Sequence, residues 1–272
     1  MIKLKNEIMI RDIELQGKKI HISDAGKGKA IVLLHGFLED LSMWEYFSAK
    51  LSADYRVIAI DLPGFGESES LGKKHSMGNM AALVNEVLEY LSIDRCVMIG
   101  HSMGGYVSLA FAAQYPGRLS GFGLFHSHAL ADTPEAKENR DRAIAVVNSD
   151  HGKYIFNFFP ELFAEENVDH FRDEIVALQR KAAKTNPRSI IAALAGMRDR
   201  NSSLEVLINA KVPVLFILGK KDSRIPFQAT LAQASLPPTS QILVLDNVGH
   251  MGYLEAQETT LKAVEGFVRM AG

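Results

Sequence analysis

A serine set among glycines, Gly100-His101-Ser102-Met103-Gly104, follows Arg95-Cys96-Val97-Met98-Ile99, an apolar run of strand type, and precedes Gly105-Tyr106-Val107-Ser108-Leu109-Ala110-Phe111-Ala112-Ala113, which reads as helix. A chain that passes from buried strand to helix in so few residues needs a strained turn, with the serine hydroxyl presented at its apex. Side chains at the flanking glycine positions would collide with the neighbouring strand or helix. The five-residue pattern alone is weak: chance yields it in on the order of one such sequence in ten, so its context must carry the argument.

That context recurs along the chain. Ile31-Val32-Leu33-Leu34 ends in His35-Gly36-Phe37, and Val214-Leu215-Phe216-Ile217-Leu218 delivers Asp222 shortly after its end. Ile242-Leu243-Val244-Leu245 is followed by Gly249-His250. Wholly apolar strands alternating with helices predict an α/β fold, a mostly parallel sheet covered on both faces. The expected strands span residues 30–34, 56–60, 96–99, 122–125, 214–218 and 241–245. Residues 8–15 and 19–23 alternate around Gln16-Gly17 and predict an N-terminal antiparallel hairpin. The expected helices span residues 42–51, 77–91, 227–235 and 254–270, with Ser76 as an N-cap.

Residues 127–203 break this rhythm. They carry no good strand and read as three or four helices, one opened by Thr133-Pro134-Glu135, one over residues 167–184 and one opened by Pro187. The expected organisation is a core of residues 1–126 and 204–272 with an inserted helical cap, 127–203, over the strand ends. Tyr154, Phe156, Phe158, Phe159 and Phe163 form an aromatic cluster with two compatible readings: glue between cap and core, or rings lining a pocket.

The landmarks His35-Gly36-Phe37, Asp61-Leu62-Pro63-Gly64-Phe65-Gly66-Glu67-Ser68, Gly100 to Gly105, Gly219 to Asp222 and Gly249-His250 span nearly the whole chain. On them the sequence resembles the α/β-hydrolase superfamily, in particular its single-domain esterases, enol-lactonases, perhydrolases and C–C hydrolases. The order Ser102, Asp222, His250 is that group's. The resemblance implies a cofactor-free serine hydrolase acting on a small to medium carboxylic ester or lactone. Alternatives are a C–C hydrolase, a perhydrolase, or a receptor that keeps the three residues for binding. Dehalogenases and epoxide hydrolases of this fold carry aspartate where Ser102 stands, and C–C hydrolases often carry asparagine where His101 stands.

A serine hydroxyl needs a base to take its proton, which casts His250 in that role and Asp222 as the group that orients it. Asp246, four residues before His250, and Asp132 compete for the acid role. The oxyanion donors are expected to be the backbone N–H groups of Phe37 and Met103. His35 reads as a structural histidine supporting that loop, and His101 as packing or support behind the site. His126 and His128 follow a strand, and one of them is expected in the pocket. The pocket candidates are His128, Phe156 and Phe159.

With Lys and Arg at 30 against 32 Asp and Glu, charge makes no case for nucleic acid or an anionic membrane surface. No run of about 18 apolar residues suggests a membrane span, and Met1-Ile2-Lys3-Leu4-Lys5-Asn6-Glu7 lacks the apolar stretch of a signal peptide. The nine histidines are scattered with no metal-ligand spacing, so no metal site is expected. The single cysteine, Cys96, lies in a buried-type strand and reads as core. A cytoplasmic enzyme with a small-molecule substrate is the expectation.

Overall fold

A computed structural model describes residues 8–271, so Met1 to Glu7 lie outside the described residues. Strands β1 (Met9–Leu15) and β2 (Lys18–Ala25) form the expected hairpin, closed by Gln16 and Gly17 at φ of 51° and 69°, as two-residue hairpin turns require. The sheet continues with β3 (Ala30–Leu34), β4 (Arg56–Ile60), β5 (Cys96–His101), β6 (Leu119–Phe125), β7 (Val214–Gly219) and β8 (Ser240–Leu245). Their spatial order is β1-β2-β4-β3-β5-β6-β7-β8. β1 and β2 run antiparallel to their neighbours; all other pairings are parallel. Every residue of β3, β5 and β7 is buried, which is why these strands read as unbroken apolar runs rather than alternating ones.

Ten α-helices accompany the sheet among the described residues: α1 (Glu45–Leu51), α2 (Met77–Tyr90), α3 (Met103–Gln114), α4 (Pro134–Phe158), α5 (Arg172–Ala182), α6 (Pro187–Arg198), α7 (Leu204–Ile208), α8 (Phe227–Gln233), α9 (Gly252–Glu255) and α10 (Gln257–Ala271). Ser76 caps α2 by accepting from Asn79 N at 3.1 Å, and Thr133 caps α4. Within α4 the helical path breaks at Asp150 (φ −157°, ψ 88°), whose Oδ1 accepts from Lys153 N at 2.9 Å and restarts the helix as an internal cap. The helix expected over 167–184 is shorter, because Asn167 spends its side chain on Glu255 and on Asn247 O instead of capping. The helix expected over 254–270 is two, separated at Ala256.

Between β6 and β7 there is no strand, only helices α4 to α7 and short turns. No helix among the described residues is long and apolar enough to cross a membrane. Cys96 is buried in β5, and burial pushes its thiol up to about 12, far from thiolate chemistry.

The topology decides where chemistry can sit. β4 lies on one side of β3 and β5 on the other, so the loops leaving β3 and β5 diverge and open a crevice at their C-terminal ends.

Candidate active site

Ser102 stands in that crevice between β5 and α3 at φ 50°, ψ −113°, a conformation that costs on the order of 1–3 kcal/mol in a non-glycine residue. Hydrogen bonds hold it there. Ser102 N donates to Phe125 O at 2.9 Å, and Ser127 Oγ donates to Ser102 O at 2.8 Å. The glycines are required by contact. A Cβ on Gly100 would lie 2.2 Å from Gly104 O, and one on Gly104 would lie 2.4 Å from Leu34 O. Met103 opens α3, so its N–H is among those that a helix leaves without an internal acceptor. The N–H of Phe37, beyond β3, makes no hydrogen bond among the described residues.

Asp222 leaves β7 and His250 leaves the loop after β8. His250 Nδ1 lies 2.9 Å from Asp222 Oδ2. Asp222 Oδ1 accepts from Arg224 N at 2.8 Å and Ile225 N at 3.0 Å. Burial alone would raise the Asp222 carboxyl, but the charge of His250 and hydrogen bonds from His126 and His250 outweigh it and hold the group below the usual carboxylate range. The competing acids lie elsewhere. Asp246 is exposed and pairs with Lys220 at 2.5 Å, while Asp132 sits between Arg140 and Arg200.

Ser102 and His250 line one cavity of about 280 Å³, together with Phe37 and Tyr106. The Ser102 hydroxyl makes no hydrogen bond among the described residues, and such contacts often tighten only when substrate is bound.

A second histidine sits on Asp222. His126 Nδ1 is 3.0 Å from the same Oδ2, its ring is fully buried, and its φ is 47°. Burial pulls it down to about 4, so it is neutral near pH 7 and donates Nδ1–H to the carboxylate. The fold thus gathers His126, Asp222 and His250 with ligand-type atoms within 4.8 Å of one another, from three separate loops that show no metal-ligand spacing in sequence. Both Nδ1 atoms are committed to hydrogen bonds with one carboxylate oxygen.

Behind the serine lies a buried network whose centre is Glu39. Its Oε2 accepts from Gly36 N at 3.1 Å and pairs with His101 Nδ1 at 2.9 Å; its Oε1 accepts from Tyr253 Oη at 2.8 Å. His101 Nε2 in turn donates to His250 O at 2.9 Å. Burial opposes charge on both members. Even so, the His101 cation and its hydrogen bond hold the Glu39 carboxyl low, and the Glu39 charge lifts His101. His35 is structural, as expected: Nε2 accepts from Leu62 N at 2.8 Å, which leaves Nδ1–H to donate to Gly36 O at 2.7 Å. Glu255 takes four more donors: Gly249 N, Met251 N, Ala164 N and Asn167 Nδ2.

The pocket residues expected from sequence need correction. Phe156 is 67% exposed, while Tyr154 and Phe158 line the cavity with rings stacked 5.7 Å apart. Residues four apart share a helix face, and the residue midway between them points away. Phe159 is fully buried and packs edge-on against Phe158 at 5.5 Å. His128 borders a neighbouring cavity behind Tyr106, its ring 3.4 Å from Tyr106 Oη. The sequence reading passed over Glu39, Tyr253, Arg140 and Arg224; only the i, i+4 spacing of Tyr154 and Phe158 offered a signal.

Comparison with known proteins agrees with this fold. A family model described as alpha/beta hydrolase fold matches residues 29–257. A thermophilic esterase from Thermogutta terrifontis, solved with malate bound, is 31% identical with a TM-score of 0.90, over 97% of this chain and 99% of that one. A 2-hydroxy-6-oxononadienedioate/2-hydroxy-6-oxononatrienedioate hydrolase from a Pseudomonas species is 27% identical over 96% of this chain and 95% of its own. A dihydrolipoyllysine-residue acetyltransferase component of an acetoin cleaving system from Pseudomonas putida is 30% identical over 89% of this chain, which spans 64% of that longer protein.

Proposed function

Because this chain belongs to the α/β-hydrolase family, we propose that it is a serine hydrolase of small to medium carboxylic esters or lactones, working through an acyl-Ser102 intermediate. The observation that carries the reading is the Asp222–His250 pair at 2.9 Å, with His250 on the wall of the cavity that also holds a strained Ser102. Ser102 Oγ attacks the substrate carbonyl while His250 Nε2 takes its proton, and Asp222 holds Nδ1–H in the matching tautomer. The carbonyl oxygen becomes an oxyanion that accepts from the Phe37 and Met103 N–H groups; losing one such donor typically costs on the order of 100- to 1,000-fold in rate. Collapse of the intermediate expels the alcohol, which takes the proton from His250. Water then repeats the sequence on the acyl-enzyme and releases the acid.

The inserted segment, 127–203, acts in this reading as a cap that shapes the pocket and keeps water from it. Tyr154 and Phe158 suit an apolar acyl chain or ring. The identity to a solved esterase favours ester chemistry. The near full-length match to an oxononadienedioate hydrolase keeps C–C bond hydrolysis as the second reading. A cytoplasmic, cofactor-free enzyme completes the proposal.

The test is turnover of 4-nitrophenyl esters from acetate to decanoate by wild type and Ser102→Ala. Serine-dependent turnover is expected. A fluorophosphonate that labels Ser102 without any ester turnover would move weight to a vinylogous diketone substrate or a receptor role, and labelling that persists in Ser102→Ala would refute the nucleophile.

A further inference from the structure

The charges around the Ser102 cavity are unbalanced. Arg140 and Arg224 line it, and no aspartate or glutamate does. Arg140, on α4, spends Nε on Asp132 Oδ2 at 2.8 Å, while its two terminal nitrogens make no hydrogen bond among the described residues. Asp132 cannot neutralise it fully, because its other oxygen is held at 2.6 Å by Arg200. The side chains of Asp132 and Arg200 are both largely buried, and the Arg200 guanidinium lies 3.9 Å from the Tyr106 ring centroid. One carboxylate between two guanidiniums leaves a net positive charge. Arg140 is the member that reaches the cavity.

The other charges nearby are already matched. Arg224 pairs with Glu161 at 2.5 Å and lies over Phe158, and the Asp222 carboxylate is covered by its four donors. The Tyr154 hydroxyl on the same wall has no hydrogen-bond partner among the described residues, so it is a second unused donor.

We propose that Arg140 is an anion-recognition residue, and that the cavity selects esters carrying a carboxylate remote from the scissile bond, the half-esters of dicarboxylic acids. The proposal rests on the ester-hydrolase reading above. A carboxylate at Arg140 takes two charge-assisted hydrogen bonds in fork geometry, within a cavity drier than bulk water. A neutral ester leaves those donors unfilled, and discrimination against a ligand lacking the matching group is stronger than discrimination by size.

The test compares kcat/KM for mono-4-nitrophenyl adipate and 4-nitrophenyl hexanoate, which have acyl chains of equal length. Wild type is expected to favour the half-ester at least tenfold, the preference falling at high salt. Arg140→Met is expected to lower that ratio at least tenfold, and Arg140→Lys to restore part of it. Asp132 keeps Arg200 in both variants, and circular dichroism checks that each folds. A wild-type preference for hexanoate, or a ratio unmoved in Arg140→Met, overturns the proposal. Calorimetric titration with adipate separates this from failure of the hydrolase reading. With no ester turned over, adipate binding that weakens at least tenfold in Arg140→Met upholds the subsite, and no binding by wild type ends it.

Discussion

Glu39→Gln keeps the size and shape of a buried side chain while removing its charge, and the structure fixes what must fail. Three donors, Gly36 N–H, His101 Nδ1–H and Tyr253 O–H, share two carboxylate oxygens. Glutamine offers one oxygen and an NH₂ group. Tyr253 can turn to accept, but His101 must then lose its counter-ion, and as a neutral ring it cannot donate from both nitrogens. Either its bond to Glu39 or its bond to His250 O is given up. An orphaned buried donor costs about 1–3 kcal/mol, and breaking a buried ion pair about 3–5 kcal/mol. Since Gln keeps part of the network, roughly 2–4 kcal/mol is expected, a fall in Tm of roughly 4–16 °C for a chain of this size.

The sign against pH follows from the two shifts. The raised His101 contributes stability fully below its ordinary value of about 6.5 and loses it as pH rises through the folded value. The lowered Glu39 contributes above its ordinary value of about 4.3 and loses it as pH falls through the folded value. Urea unfolding of wild type and variant across pH therefore gives a difference largest between those limits and shrinking on both sides. A difference below about 0.5 kcal/mol at neutral pH, or one independent of pH, would refute a charged pair here.

Further outcomes follow from single contacts. Gly104→Ala puts a Cβ 2.4 Å from Leu34 O, a clash with backbone that cannot rotate away, so a loss of about 2 kcal/mol or more is expected in urea unfolding, together with loss of turnover. Asp222→Asn offers His250 Nδ1 an amide in place of a carboxylate; kcat for a 4-nitrophenyl ester should fall on the order of 10⁴-fold, with fluorophosphonate labelling slowed in parallel. Phe158→Ala should raise KM for medium-chain esters, whereas Phe156→Ala, on the opposite face of α4, should leave kinetics unmoved and shift stability by less than about 0.5 kcal/mol.

The strands β3 to β7 were legible because each is largely buried on both faces and reads as one apolar run; β3, Ala30–Leu34, and β4, Arg56–Ile60, match the expected spans at both ends. The positions of Ser102, Asp222 and His250 were legible for a related reason: each follows a parallel strand within a few residues, so the sheet itself gathers them. In residues 127–203 the helix starts at Pro134 and Pro187 were legible from proline at the first helical position, but the pocket-facing side chains were not. Helices α4 and α5 bury few side chains, and the alternating Tyr154, Phe156 and Phe158 give no direction until the helix phase is known; the break at Asp150 resets that phase just before Tyr154. Glu39 was invisible as a site residue because its three donors are contributed by positions 36, 101 and 253, which no local spacing connects.

Glu255 has a consequence for exchange of parts. Its carboxylate binds the loop that carries His250, through Gly249 N and Met251 N, and also the segment at Ala164 and Asn167, while His250 N donates to Leu162 O at 2.6 Å. The insertion is therefore no interchangeable module. A graft that replaces residues 127–203 with a foreign helical segment strips the histidine loop of half its anchorage, at about 1.5–3 kcal/mol for each bond to the carboxylate. Recombination at residues 127 and 203 would disarm the proposed chemistry even where the new segment folds, unless the incoming piece brings its own amides to Glu255.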